Sequence, residues 1–132
     1  KKILPKSKII MVTVSDDKDT REKAITLGAD EFVTKPFTTD YLEDVVILKV
    51  NEVAKAKDPA RILIVDDEEG IRATLKEFLA ERFECEIIEA GDGEEALNLL
   101  NKDKFDLIFL DIKMPGISGT EIIKTKKKLS HF

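Results

Sequence analysis

An α/β fold built on a parallel sheet is what this sequence predicts, and three observations predict it. Five short apolar runs are each followed by a stretch with helical spacing, so strands and helices alternate. Several of the runs, Arg61–Val65 above all, are almost continuously apolar, as suits strands buried on both faces of a sheet. The chain has 132 residues, of which 42% are hydrophobic, enough for one domain around a single core.

The elements follow in order. Ile9–Val14 is rich in β-branched residues and ends at Ser15-Asp16-Asp17, which can cap a helix from about Lys18 to Leu27. Gly28 stands where a C-terminal glycine is expected. Glu31–Thr34 is a second short strand closed by Pro36. Thr38 or Thr39 then caps a long helix with Leu42, Val45, Val46, Leu48, Val50 and Val53 at its apolar positions. Residues 55–60 read as a linker, because Pro59 pushes the residue before it out of the helical region. Arg61–Val65 is a central strand, and Glu69–Arg82 a helix with Ile71, Leu75, Phe78 and Leu79 at i, i+4, i+7 and i+8. Glu86–Ala90 is a fourth strand, Gly91-Asp92-Gly93 a turn, and Glu94–Asn101 a helix burying Ala96, Leu97 and Leu100. Asp106–Leu110 is the fifth strand, and Gly119 opens a last helix carrying Ile122, Ile123 and Leu129.

Composition narrows the function. The net charge of −5 argues against nonspecific nucleic-acid binding, which needs positive charge. The basic run Lys124–Lys128 reads as a solvated helix end. Cys85, the single cysteine, allows no internal disulfide and is expected as a buried or half-buried strand thiol. His131, the single histidine, reads as part of a frayed tail. No stretch approaches the roughly 20 apolar residues of a membrane span, and no signal-peptide pattern is seen, so a cytoplasmic location is expected.

Asp66, Asp67 and Asp111 each end or follow a strand. In an open parallel sheet, ligands sit beyond the carboxyl ends of the strands, so the fold brings these three together. Packed carboxylates repel unless a cation joins them, and hard oxygen ligands with room for water suit Mg²⁺. Taken alone, Asp66-Asp67 would serve as well as a helix N-cap, a site that acidic residues favour.

Four segments carry a resemblance that covers nearly the whole chain. They are Lys8-Ile-Ile-Met-Val-Thr13, Gly28-Ala29-Asp30-Glu31-Phe32-Val33-Thr34-Lys35-Pro36-Phe37, Ile62-Leu63-Ile64-Val65-Asp66-Asp67-Glu68 and Leu107-Ile108-Phe109-Leu110-Asp111-Ile112-Lys113-Met114-Pro115-Gly116. Together they resemble the signature of the response-regulator receiver domain of two-component signalling. The resemblance implies a flavodoxin-like (CheY-like), doubly wound sheet of five parallel strands. It implies Asp111 as phosphoacceptor, Asp67 as a direct Mg²⁺ ligand, Asp66 as holder of metal-bound water and the Lys113 backbone carbonyl as a further ligand. Lys35 would contact the phosphoryl group, aimed by the Pro36 peptide, often cis in the family. Thr13 matches the switch hydroxyl. Phe32 matches the switch aromatic, a role the residue itself leaves level with that of a core phenylalanine. Val14 stands where the family usually has a small residue, which implies a longer-lived acyl phosphate.

The segments occur in reversed order, since the family has the Asp-Asp strand first and the Lys-Pro segment last. Residues 1–132 are expected to form a single receiver domain, with 1–54 matching its C-terminal half, 55–60 the linker and 61–132 its N-terminal half. The sheet would then read 4-3-5-1-2 in chain order. The linker must cross three strand spacings, about 14 Å, and six extended residues reach about 20 Å. The helices on either side of it would share one sheet face, with right-handed crossovers. Lys1-Lys2-Ile3-Leu4 echoes Lys127-Lys128-Leu129 across the break. Two architectures fit: a circular permutant, or a segment straddling two tandem receivers that completes itself by exchanging halves in a homodimer.

The function implied is acceptance of a phosphoryl group from a sensor histidine kinase onto Asp111, with Mg²⁺. A switched surface around the helices after Thr13 and Lys35 would then engage a downstream protein, with no direct nucleic acid and no membrane as partner. Such a module is not an enzyme beyond its own phosphorylation and hydrolysis. One rival is a Mg²⁺-dependent phosphatase with an aspartyl nucleophile, whose usual second aspartate is replaced by Lys113; another is an inactive flavodoxin-like assembly scaffold.

Overall fold

Strands and helices alternate from end to end: β1 (Lys8–Thr13), α1 (Lys18–Leu27), β2 (Glu31–Thr34), α2 (Thr39–Ala56), β3 (Ala60–Val65), α3 (Glu69–Arg82), β4 (Cys85–Ala90), α4 (Gly93–Lys102), β5 (Leu107–Asp111) and α5 (Gly119–Leu129). The computed structural model describes residues 8–14, 18–56 and 59–129, and within these the side chains of all but 53–56 and 126–129. The expected cap at 15–17, His131 and the echo between the two chain ends lie outside the described residues, as do the side chains of Val53 and Leu129.

All four strand pairings are parallel, and the order across the sheet is β2-β1-β5-β3-β4. Read from the other edge this is 4-3-5-1-2, the expected permuted order. The central strands alternate by residue. Ile9, Met11, Leu63, Val65, Ile108 and Leu110 face α1, α4 and α5, while Ile10, Val12, Ile62, Ile64, Leu107 and Phe109 face α2 and α3. Side chains of period two feeding two apolar layers make the sheet doubly wound, with α2 and α3 on one face as the linker argument requires.

Capping sets several boundaries. Thr38, rather than Thr39, caps α2, its Oγ1 accepting the Tyr41 N–H at 3.1 Å. Asp92 caps α4 through the Glu95 N–H at 2.8 Å, while Glu95 Oε1 accepts the Gly91 N–H at 2.8 Å. Ser118 and Glu121 form a reciprocal capping box at the start of α5. Gly28 closes α1 at φ 116°, a conformation open to residues without a Cβ.

Three expectations need adjustment. Leu48 is 71% exposed: the buried stripe of α2 runs Leu42, Val46, Val50, and a residue two past Val46 falls about 200° round the helix. The 55–60 linker is shorter than expected, since α2 runs to Ala56 and β3 begins at Ala60. β4 takes in half-buried Cys85, one residue earlier than read from sequence.

Candidate functional site

The strand registers bring the site to one edge. Val12 pairs with Asp111 and Thr13 with Thr34, while Val65 pairs with Leu110. The carboxyl ends of β1, β2, β3 and β5 are therefore level, and Thr13, Lys35, Asp66 and Asp111 emerge side by side. All four are buried, at 1%, 8%, 1% and 3% exposure. Lys35 is held at the strand end by its N–H, which donates to the Thr13 carbonyl at 2.8 Å. The Thr34 N–H donates to Tyr41 Oη at 3.2 Å, tying β2 to the first turn of α2. The Lys35–Pro36 peptide bond is cis.

On the acidic side, α5 approaches β5 closely. The Gly119 N–H donates to the Ile112 carbonyl at 2.9 Å. A Cβ on Gly119 would run into the Asp111 carbonyl oxygen and stand 2.9 Å from Ile112 Cα, so glycine is what lets the helix start there.

The charges converge. Lys35 Nζ lies 2.9 Å from Asp66 Oδ2, 3.3 Å from Asp111 Oδ2 and 3.3 Å from Glu68 Oε1. Asp66 Oδ1 accepts the Glu68 N–H at 2.9 Å, and Asp111 Oδ1 accepts the Lys113 N–H at 3.2 Å. Burial, together with the neighbouring Asp66 charge, pushes the Asp111 carboxyl up to about 6, against the opposing pull of Lys35 and the Lys113 N–H. Burial works to lower the Lys35 ammonium, but Asp66, Asp111 and Glu68 outweigh it and hold the group above an ordinary lysine.

The donor set fits a hard cation. Asp66, Asp67 and Asp111 each offer a carboxylate oxygen, all within 4.8 Å of one another, with Asp67 exposed and the other two buried. Asp66 Oδ2 is buried and receives no directed hydrogen bond among the described residues, its ion pair with Lys35 lying off that line. An all-oxygen cluster with one buried unsatisfied carboxylate oxygen and an open side suits Mg²⁺.

Thus Asp66, Asp67, Asp111, Lys35 and Thr13, all picked out in the sequence, share one edge. Phe32 does not join them: it is buried in the layer against α1, with the Arg21 guanidinium 5.2 Å over its ring. Val14 is 62% exposed at the end of β1. Two neighbours of the site escaped the sequence reading. Glu68 reaches Lys35, and Arg72 Nη1 donates to the Asp66 carbonyl at 2.7 Å while its Nε donates to Glu89 at 3.2 Å. The signal for Glu68 was its place directly after Asp67; nothing local marks Arg72, whose partners lie in the loop after β3 and on β4.

The family model of the response regulator receiver domain matches residues 62–131, a span that contains Asp66, Asp67 and Asp111 and follows Thr13 and Lys35. A Bacillus subtilis protein named uncharacterized transcriptional regulatory protein YrkP is 48% identical over 71 residues, 54% of this chain and 30% of that protein. From the same organism, the alkaline phosphatase synthesis transcriptional regulatory protein PhoP is 47% identical over 64 residues, 48% of this chain and 26% of that protein. The B. subtilis sporulation initiation phosphotransferase F is 44% identical over 68 residues, 51% of this chain and 53% of that protein. The chain spans about a quarter to a half of the length of these relatives. No solved structure matches it.

Proposed function

This chain belongs to the response regulator receiver domain family, and from that membership we propose that it takes a phosphoryl group on Asp111 from the phosphohistidine of a sensor histidine kinase. The observation that carries the reading is the meeting of Lys35 Nζ with Asp66 and Asp111 at 2.9 and 3.3 Å, from opposite halves of the chain.

The chemistry follows from the residues. An Asp111 carboxylate oxygen attacks phosphorus opposite the histidine nitrogen; a P–O bond forms, the P–N bond breaks, and the nitrogen keeps the electron pair. Positioning and charge neutralisation dominate such a transfer. Lys35 gives its ammonium to a phosphoryl oxygen as Asp111 loses its charge, and the Thr13 hydroxyl donates to another. Asp66, Asp67, Asp111 and the Lys113 backbone carbonyl would hold Mg²⁺. Bound there, the ion supplies positive charge against the remaining phosphoryl oxygens. Movement of Thr13 then alters the surface around α1 and α2, which a downstream protein reads; Phe32 is the aromatic that responds. No helix among the described residues is long and apolar enough to cross a membrane, and the module is proposed to act in the cytoplasm, without turnover beyond its own phosphorylation and hydrolysis.

Residues 1–132 are proposed as one receiver domain, since β1 of the first half pairs with β5 of the second within one chain. Incubation with acetyl phosphate and Mg²⁺, followed by intact-mass and peptide analysis, tests the central claim. One phosphoryl group on Asp111, absent in Asp111→Asn, is expected; no adduct, or one elsewhere, overturns it. A solution mass equal to one chain is expected for the single-domain arrangement, and twice that mass overturns it.

A further inference from the structure

We propose that Glu68 is a latch on Lys35: in the unphosphorylated protein its carboxylate takes the ammonium direction that an incoming phosphoryl oxygen needs. Glu68 thereby sets how readily the site is phosphorylated. The proposal rests on the phosphoacceptor reading and adds to it a residue that tunes the same site.

An ammonium group has three N–H donors, and three carboxylates surround this one, Asp66 at 2.9 Å and Asp111 and Glu68 at 3.3 Å each. Only Asp111 and Glu68 take directed hydrogen bonds from it, and a phosphoryl oxygen that approaches from solvent meets the exposed Glu68 carboxylate first. Before the P–O bond forms, Asp66 and Asp111 are poor candidates to leave. Their side chains are 1% and 5% exposed, and each is pinned through its other oxygen, to the Glu68 and Lys113 N–H groups. The Glu68 side chain is 59% exposed, and Lys35 is its carboxylate's sole partner among the described residues. It is the partner that can swing away into water.

The backbone position of Glu68 makes a second, independent argument. Glu68 is the N-cap residue of α3, at φ −97° and ψ 114°, yet its side chain makes no cap hydrogen bond. Thr38, Asp92 and Ser118 all cap their helices with their side chains. Glutamate is outside the set of residues that cap well, and here its reach is spent across the pocket instead. That reach decides the geometry: one methylene fewer would leave the carboxylate short of Nζ.

A half-exposed ion pair of this kind contributes up to about 1 kcal/mol, so releasing it should speed phosphoryl uptake roughly two- to fivefold. The test is the second-order rate constant for phosphorylation of the whole chain by acetyl phosphate at saturating Mg²⁺. Wild type, Glu68→Gln and Glu68→Asp are compared, with Mg²⁺ affinity and melting temperature measured alongside. Both variants should be faster with Mg²⁺ affinity unchanged, because Glu68→Gln offers Lys35 only a neutral amide oxygen in place of a carboxylate while Glu68→Asp keeps the charge and loses the reach. Acceleration in Glu68→Gln alone would overturn the latch in favour of simple repulsion of the anionic donor. Unchanged rates would also overturn it, and slower uptake with weaker Mg²⁺ binding would make Glu68 part of the cation site. A wild type that takes no phosphoryl group fails the phosphoacceptor reading itself, a result distinct from equal rates in all three proteins.

Discussion

The acidic half of the molecule, β3 to α5, and the lysine half, β1 to α2, bring opposite charges to the pocket. The acidic half is held by backbone: capping pairs at α4 and α5, the close approach at Gly119 and the Arg72 clamp on the Asp66 carbonyl. What it presents is repulsive, two buried carboxylates and an exposed third. The lysine half contributes one buried cation directly after the short strand β2. Each half thus leaves an uncompensated charge that the other answers, and the site is a contract between segments far apart in sequence.

The strongest way to break that contract is to remove the cation. In metal-free buffer, Lys35→Ala should cost about 4 kcal/mol of unfolding free energy, because it leaves Asp66 and Asp111 buried without a partner. Urea denaturation measures this, and Mg²⁺ should recover part of the loss. A change under about 1 kcal/mol would mean that the halves are coupled through packing alone.

Relieving the repulsion should do the reverse. The Asp111 carboxyl is raised to about 6 in the fold, against about 4 in an unfolded chain. The folded state therefore holds its proton more tightly. That stabilisation is complete below about pH 4 and is lost as pH rises through about 6. Asp111→Asn should stabilise the metal-free protein at pH 7 by up to about 3 kcal/mol, with the gain vanishing near pH 4. Melting curves in EDTA across this range check it, and a gain independent of pH would exclude the electrostatic cause.

Two glycines sharpen the comparison within the acidic half. Gly119→Ala drives a methyl group into the Asp111 backbone and should cost about 2 kcal/mol. Gly70, in the first turn of α3 with nothing within 4 Å of its Cβ position, should gain up to about 0.5 kcal/mol as alanine. Equal effects at the two positions would contradict the close approach of α5 to β5. The smallest effect is expected at the rim of the lysine half. Val14 is 62% exposed, so Val14→Ala should shorten the phosphoryl lifetime only modestly; an unchanged dephosphorylation rate would show that the residue does not screen the pocket.

The period of the apolar residues was enough to place ten elements to within a residue or two, because burial on both sheet faces imprints itself locally on β3 and β5. It failed at Leu48, where being apolar was mistaken for being inward. The limits of the linker were misplaced because Pro59 constrains only the residue just before it, and α2 runs to Ala56. The acidic site was legible for a different reason: Asp66, Asp67, Asp111 and Lys35 sit at strand ends, where the chain must turn toward the sheet edge.

By itself, then, the sequence determined the alternation of elements, the strand order once its segments were matched to the family, and the residue types at the pocket. Only the tertiary structure decided how their charges are shared. The raised carboxyl of Asp111, the crowding of three carboxylates on one ammonium and the turn of Glu68 away from its helix all depend on distances between segments 30 to 80 residues apart. Those distances are created by strand pairing and layer packing, and no local pattern carries them.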